Sequence, residues 1–329
     1  MRTISIIGDG GWGTTLAIYL AQKKHPVFLW GAFPDYVSLV ARTRENKKFL
    51  PGHKIPRSVV LTADMREAVS KADLIVLACP SEYLARTLKK VKTCSYQGKT
   101  FLSVIKGIDP DSFRRMSEMI QDELGPVGLA VLSGPTIASE LADGVATTAV
   151  VASSNKRLAL DIQAIFNSPV FRIYTNTDVA GVEVGGSLKN VIALACGICD
   201  GLKLGTNAKA AILTRGLAEI TRLGIMMGGR KETFYGLTGV GDLITTCFSP
   251  KSRNRTVGQQ LGEGKSIRAV LKGMNAVAEG VVTAKAVYRL SKAKNIPMPI
   301  VTEVYKIIAM NKNPRKAMAD LMGRRPKPE

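Results

Sequence analysis

A chain of 329 residues, 46% hydrophobic and 22% charged, is long enough for two globular domains and too apolar for a disordered tail. Its 46 basic and 26 acidic residues give a net charge of +20, so its ligands are expected to be anionic. Aromatics are only 6% and rarely alternate with the cations, so a small phosphorylated molecule fits better than a specific nucleic acid.

The first residues, Thr3 to Ile7, are β-branched and apolar and predict a strand, a start that leaves no room for the apolar core of a signal peptide. Glycines at 8, 10, 11 and 13 follow, then Leu16, Ala17 and Leu20 mark one face of a helix over Thr14 to Gln22. Further strand-like runs are Val27 to Trp30, Val59 to Leu61, Leu74 to Cys79, Thr100 to Ile105, Leu129 to Leu132, Thr147 to Ala152 and Val170 to Tyr174. Helical patterns such as Phe113 to Leu124 mostly separate them. Alternating β and α elements predict an α/β domain over residues 1–180 with a doubly wound, mostly parallel sheet.

Beyond Asn176 the strand signal stops. Helical periodicities over Val179 to Cys199, Ala208 to Met227, Thr256 to Gly262, Ser266 to Lys272, Thr283 to Ala293 and Ile300 to Met310 predict an all-helical domain over 181–329. Arg324 to Glu329 reads as a frayed basic tail. The longest apolar stretches, Leu74 to Cys79 and Val191 to Cys199, fall short of the ~18 to 20 residues of a membrane span. Five sparse cysteines point to a reducing cytoplasm.

The run Gly8-Asp9-Gly10-Gly11-Trp12-Gly13 is a G-x-G-x-x-G between a predicted strand and helix. This is the dinucleotide fingerprint of a Rossmann-type domain: the glycines give a tight turn, a close approach to the pyrophosphate and close helix packing, and the helix N-terminus faces the phosphates. About twenty residues on, where the fingerprint places an acid on the adenosine ribose, the chain has Trp30-Gly31-Ala32-Phe33. No acid is there to select NAD and no cation to select NADP, and the nearest are Arg42 and Arg44. A second glycine cluster, Gly236 to Gly241, follows no strand and reads as a loop.

Candidate substrate residues stand where strands end or helices begin. Lys106 and the Ser133-Gly134-Pro135-Thr136 turn follow predicted strands, at the border where a parallel sheet meets its ligand. Lys189 lies early in the first long helix of the second domain, on a face with the small residues Gly185, Ala193 and Cys196; it either snorkels to water or serves a ligand. Lys251-Ser252-Arg253-Asn254-Arg255 reads as a helix start with Ser252 as its cap, and is either a phosphate site or a solvated basic turn. Cys196 and Cys199 form a C-x-x-C without a second pair, which packing explains better than zinc. With His25 and His53 the only histidines, both in predicted loops, a His-based dyad is improbable.

With these residues the chain resembles the bacterial NAD(P)-dependent glycerol-3-phosphate dehydrogenases. The motifs that carry the likeness are Gly8 to Thr14, Phe49-Leu50-Pro51, Lys106-Gly107, Ser133 to Thr136, Gly185 to Asn190, Leu213 to Gly216, Gly239 to Leu243, Ser252 to Asn254 and Glu279-Gly280. The resemblance implies reversible hydride transfer between NADH or NADPH and dihydroxyacetone phosphate. The product, sn-glycerol 3-phosphate, is the backbone for phospholipid synthesis, and the expected enzyme is a cytoplasmic homodimer that needs no metal and spans no membrane.

By matching position it implies Lys189 as general base, with substrate contacts at Lys106, Gly134, Thr136, Lys189, Asp242, Ser252, Arg253 and Asn254. To the fingerprint's Gly8, Gly10 and Gly13 it adds cofactor contacts at Gly11, Trp12, Ala32, Lys106, Ala138, Arg253, Val277 and Glu279. Gly11 and Ala32 depart from the family's commoner residues, serine and a basic side chain, so both cofactors are expected to work within about tenfold of each other. Three alternatives remain: another two-domain hydroxyacid dehydrogenase, a UDP-sugar dehydrogenase with Cys247 as nucleophile, or a basic nucleic-acid-binding protein that senses a dinucleotide.

Overall fold

The computed structural model describes residues 1–274, 278–326 and 328. Its strands are β1 (Ile4–Ile7), β2 (Val27–Trp30), β3 (Val59–Thr62), β4 (Leu74–Leu77), β5 (Thr100–Ser103), β6 (Gly128–Ser133), β7 (Thr147–Ala152) and β8 (Phe171–Asn176). The helices among them are α1 (Gly11–Gln22), α2 (Pro34–Thr43), α3 (Met65–Ser70), α4 (Leu84–Lys92), α5 (Met116–Leu124), α6 (Ala138–Ala142) and α7 (Lys156–Phe166). Then come α8 (Val179–Gly201), α9 (Gly205–Met226), α10 (Lys231–Phe234), α11 (Asp242–Phe248), α12 (Arg253–Gly262), α13 (Ile267–Lys272), α14 (Glu279–Ala293), α15 (Pro299–Met310) and α16 (Pro314–Met322). The chain divides into two compact units, Met1–Lys106 with Arg114–Glu183, and Gly107–Phe113 with Val184–Glu329.

In the first unit the strands form one sheet in the order β3-β2-β1-β4-β5-β6-β7-β8. All pairs are parallel except β6 with β7, where Val131 faces Ala152 and Ser133 faces Val150. The apolar strands bury side chains on both faces: Ile4, Ile6, Leu29 and Val76 belong to one core cluster, and Ile7, Trp30, Ile75 and Leu77 to another. Strands covered on both sides lose the alternation of a half-exposed sheet, which is why they read as continuous apolar runs. The order reverses between β1 and β4, so Gly8 leaves β1 beside Ala78, just past the end of β4. The predicted helix over Phe113 to Leu124 begins only at Met116, because Phe113 has a left-handed backbone (φ 58°) that no helix tolerates.

The second unit is built on α8. This helix corrects the expectation from short apolar runs: its 23 residues are long and apolar enough to cross a membrane by length and composition, with a mean hydropathy of 1.4. Its apolar window is entirely buried in protein, and its glycines explain how. A Cβ on Gly197 would lie 2.8 Å from the Gln259 amide, and one on Gly258 would lie 2.9 Å from the Leu194 carbonyl carbon. Backbones of α8 and α12 thus meet with nothing between them. Cys196, Cys199 and Cys247 all lie buried in this unit, Cys196 and Cys247 among its core side chains.

The Gly236 to Gly241 cluster is a π-helical turn (Leu237–Gly241) running directly into α11, not a loop. It is closely packed: the Thr238 carbonyl oxygen lies 2.7 Å from where a Cβ on Gly185 of α8 would stand, and Gly239 abuts the Phe234 backbone. Such turns occur mostly as single insertions within α-helices, often at functional sites.

Candidate active site

The first unit supplies a dinucleotide cradle. Gly8 takes a φ of 128°, and a Cβ there would stand 2.7 Å from backbone atoms of Ala78 and Cys79, so only glycine fits. Nothing lies within 4 Å of where a Cβ on Gly10 would be. Gly10 caps α1 without a side-chain bond, so the first amides of α1, at Gly11 and Trp12, point into that space. Gly11 is hemmed in by the Phe49 carbonyl, and Gly13 by the Gly8 carbonyl. Trp12 packs edge-on against Phe171 with ring centroids 6.3 Å apart, and the Ala138 carbonyl accepts from Thr15 Oγ1 at 3.1 Å. A pyrophosphate fits a cradle of this kind: glycine where the backbone must be approached, with a helix N-terminus behind it.

Ala32 is exposed just past β2. Arg44 cannot reach a ribose there, because its guanidinium donates to the carbonyls of Ile55, Pro56 and Val59. In the same unit Lys106 Nζ donates to the Gly134 carbonyl at 3.0 Å and to Thr136 Oγ1 at 3.4 Å. The lysine and the Ser133 to Thr136 turn are therefore one structure.

Within the second unit Lys189 is buried, and its ammonium is paired with the carboxylate of Asp242. It also donates to Thr246 Oγ1 at 2.6 Å. The π-turn and α11 present Asp242, and Thr246 stands one helical turn on, on the same face. Of this trio the sequence reading named Lys189 and Asp242 and missed Thr246.

Ser252 caps α12 as expected, its Oγ accepting from the Arg255 amide at 3.3 Å. The amides of Arg253 and Asn254 remain outside the helical ladder at a positive dipole end. Asn254 is buried and its side chain is committed within the protein: Nδ2 donates to Asn190 Oδ1 and Oδ1 accepts from the Gly280 amide, each at 2.9 Å. One Nδ2 hydrogen and the backbone amide of Asn254 are left for a ligand. Arg253 remains solvent-accessible at one side, while crowding by protein lowers its pKa and Glu279, at the start of α14, opposes that shift. Val277 lies outside the described residues. Contact with the Cys247 thiol, together with burial, pushes Cys196 far up, and burial lifts Cys199 to about 11, so neither of these two offers a ready thiolate. Among the described residues no group of His, Cys, Asp and Glu could hold a metal ion.

Two family models match, NAD-dependent glycerol-3-phosphate dehydrogenase N-terminus over residues 3–159 and C-terminus over residues 178–319. A glycerol-3-phosphate dehydrogenase [NAD(P)+] of Prosthecochloris aestuarii is 47% identical, with 99% of each chain covered. Its counterpart in Geobacillus kaustophilus is 46% identical, covering 100% of this chain and 96% of the other. The crystal structure of glycerol-3-phosphate dehydrogenase from Coxiella burnetii superposes with a TM-score of 0.95 at 36% identity, covering 98% of this chain and 99% of that one. The chain belongs to the NAD-dependent glycerol-3-phosphate dehydrogenase family.

Proposed function

We propose that this chain catalyses the reversible reduction of dihydroxyacetone phosphate to sn-glycerol 3-phosphate with NADH or NADPH. The product is a backbone for phospholipid synthesis, and the enzyme works as a homodimer in the cytoplasm. One observation carries the reading: the helical unit holds a buried ammonium paired with a carboxylate, the Lys189–Asp242 pair. Proton transfer to a C2 oxygen calls for such a group. The nicotinamide, when bound, supplies or accepts the hydride.

In the reducing direction the C2 oxygen gains negative charge and needs a proton. The Lys189 ammonium donates it, and Asp242 and Thr246 hold the nitrogen in place while it does so. In oxidation the same nitrogen takes the hydroxyl proton. The substrate phosphate is received by the open amides at the start of α12 and by the Arg253 guanidinium, which suits a dianion. Lys106, fixed to Gly134 and Thr136, adds a cation for an anionic ligand. The first unit binds the dinucleotide through Gly8, Gly10, Gly11, Trp12 and Gly13. No metal ion is required by this chemistry.

The phosphate grip can be tested by comparing dihydroxyacetone phosphate with unphosphorylated dihydroxyacetone, following nicotinamide absorbance. Remote binding energy at the phosphate positions C2, so the unphosphorylated ketone should turn over at least ~100-fold less efficiently in kcat/KM. Equal efficiency would overturn the reading of α12 as a phosphate site.

A further inference from the structure

The second strand ends without an acid, yet a carboxylate stands at its end. It belongs to Asp9, the residue between the first two glycines of the fingerprint. A Cβ on Gly31 would lie 2.8 Å from Asp9 Cγ, overlapping Oδ2, and 2.5 Å from Val37 Cγ2. Gly31 therefore leaves open the place that the Asp9 carboxylate fills. Both sides of this contact are pinned by backbone bonds, the Gly8 amide to the Trp30 carbonyl at 3.0 Å and the Gly31 amide to the Thr62 carbonyl at 3.1 Å. The Asp9 carbonyl is fixed as well, accepting from Asn46 Nδ2 at 2.7 Å, and Asn46 is wholly buried and accepts from the Tyr36 hydroxyl at 2.6 Å. Ala32 and Phe33, the next residues past Gly31, are exposed, so the space over the carboxylate is open on that side.

Resting on the functional reading above, we infer that Asp9 determines cofactor choice: its carboxylate accepts from the adenosine ribose hydroxyls, repels a 2'-phosphate, and makes NADH the preferred cofactor. The usual solution hangs the acid from the end of β2; here the acid reaches the same place from the turn after β1. Cations that could reverse the preference are few. Arg44 is committed to backbone carbonyls. Lys48, exposed over the Phe49 ring at 5.0 Å, is the cation whose charge acts on Asp9. Its charge and the backbone bond at Asp9 favour the carboxylate form, against the larger effect of burial, which raises the Asp9 pKa. A lone flexible ammonium in water is worth little beside a positioned acceptor.

The test is kcat/KM for NADH and NADPH, with calorimetric binding of NAD and NADP in the absence of substrate, on the full chain and its Asp9→Asn, Asp9→Ala and Lys48→Ala variants. The parent should favour NADH by at least about tenfold. Asp9→Asn keeps the shape and removes the charge, so it should cut that ratio at least ~fivefold, mainly by improving NADPH. Asp9→Ala should do the same, and Lys48→Ala should widen the ratio. A parent that favours NADPH, or treats the two alike, overturns the inference, as does an unchanged ratio in both Asp9 variants. Equal binding of the two dinucleotides would overturn the role of Asp9 alone, whereas failure of both to bind would overturn the functional reading itself.

Discussion

Lys189 and Asp242 have side-chain exposures of 8% and 1%, so each needs the other. Deleting one member of a buried pair leaves an uncompensated charge, at a cost of about 3 to 5 kcal/mol. Lys189→Ala should therefore lower kcat by ~10² to 10⁴ with little change in KM and also lower the denaturation midpoint. The double variant with Asp242→Ala should be more stable than the sum of the single losses allows, and a double-mutant cycle in urea would show whether it is. Arg253→Ala should weaken both dihydroxyacetone phosphate and the dinucleotide by about 1.5 to 3 kcal/mol, the worth of a charge-assisted hydrogen bond, while unchanged KM for both ligands would return this cluster to a solvated turn. Lys189 stood out in the sequence as a lysine on a small-residue face, whereas Asp242 entered only through the family resemblance. Thr246 was not, although its place four residues after Asp242 on a helix was the available signal; threonines on buried helices are too common for spacing alone to single one out. The place of the Asp9 carboxylate beside Gly31 was hidden for another reason, since only folding brings a residue after β1 to the end of β2.

At the scale of elements, α15 starts under an unusual cap. Glu219 of α9 accepts from the amides of Ile300 and Val301 at 2.8 and 3.1 Å, and burial raises its pKa to about 7 despite those bonds and the charges of Arg222 and Arg324. With the folded value raised, the stabilisation is complete below the usual carboxylate range and is lost as pH rises through about 7. Between about pH 5 and 8 this loss amounts to ~2.5 kcal/mol. Urea midpoints across that range should fall in the parent and stay flatter in Glu219→Gln, which itself gives up one acceptor; parallel curves would contradict the shift. The close crossing of α8 and α12 makes a second forecast: Gly258→Ala forces two backbones apart and should cost at least ~2 kcal/mol, in the range of overpacked cores, read as a lower melting temperature. The strands were legible within a residue or two because both-face burial writes apolar runs. The antiparallel pairing of β6 with β7 was not, since a short apolar strand reads alike in either direction. The π-turn passed for a loop because its glycines serve close packing on Phe234 and α8, and glycine signals turns and close contacts equally well.

Over the whole molecule, the two units differ in make-up, and the difference was visible in composition. The strand-rich half carries 22 basic and 16 acidic residues over positions 1–180, against 24 and 10 over 181–329, so the surplus charge of +14 lies in the half with α12 and Lys189. That surplus suits a phosphorylated substrate. It would also permit weak nucleic-acid binding, which should vanish steeply as salt rises and leave turnover in place. The excursion of Gly107–Phe113 into the helical unit carried no sequence signal, because a short connecting segment shows neither period nor punctuation that says which core it joins. The most direct test of the account is nicotinamide absorbance with NADH and dihydroxyacetone phosphate, run on the parent and on Lys189→Ala. With Lys189 as the proton donor, NADH consumption should be rapid, depend on the phosphorylated ketone and fall by ~10² or more in the variant; no consumption by the parent, or equal rates in the two proteins, would contradict that role.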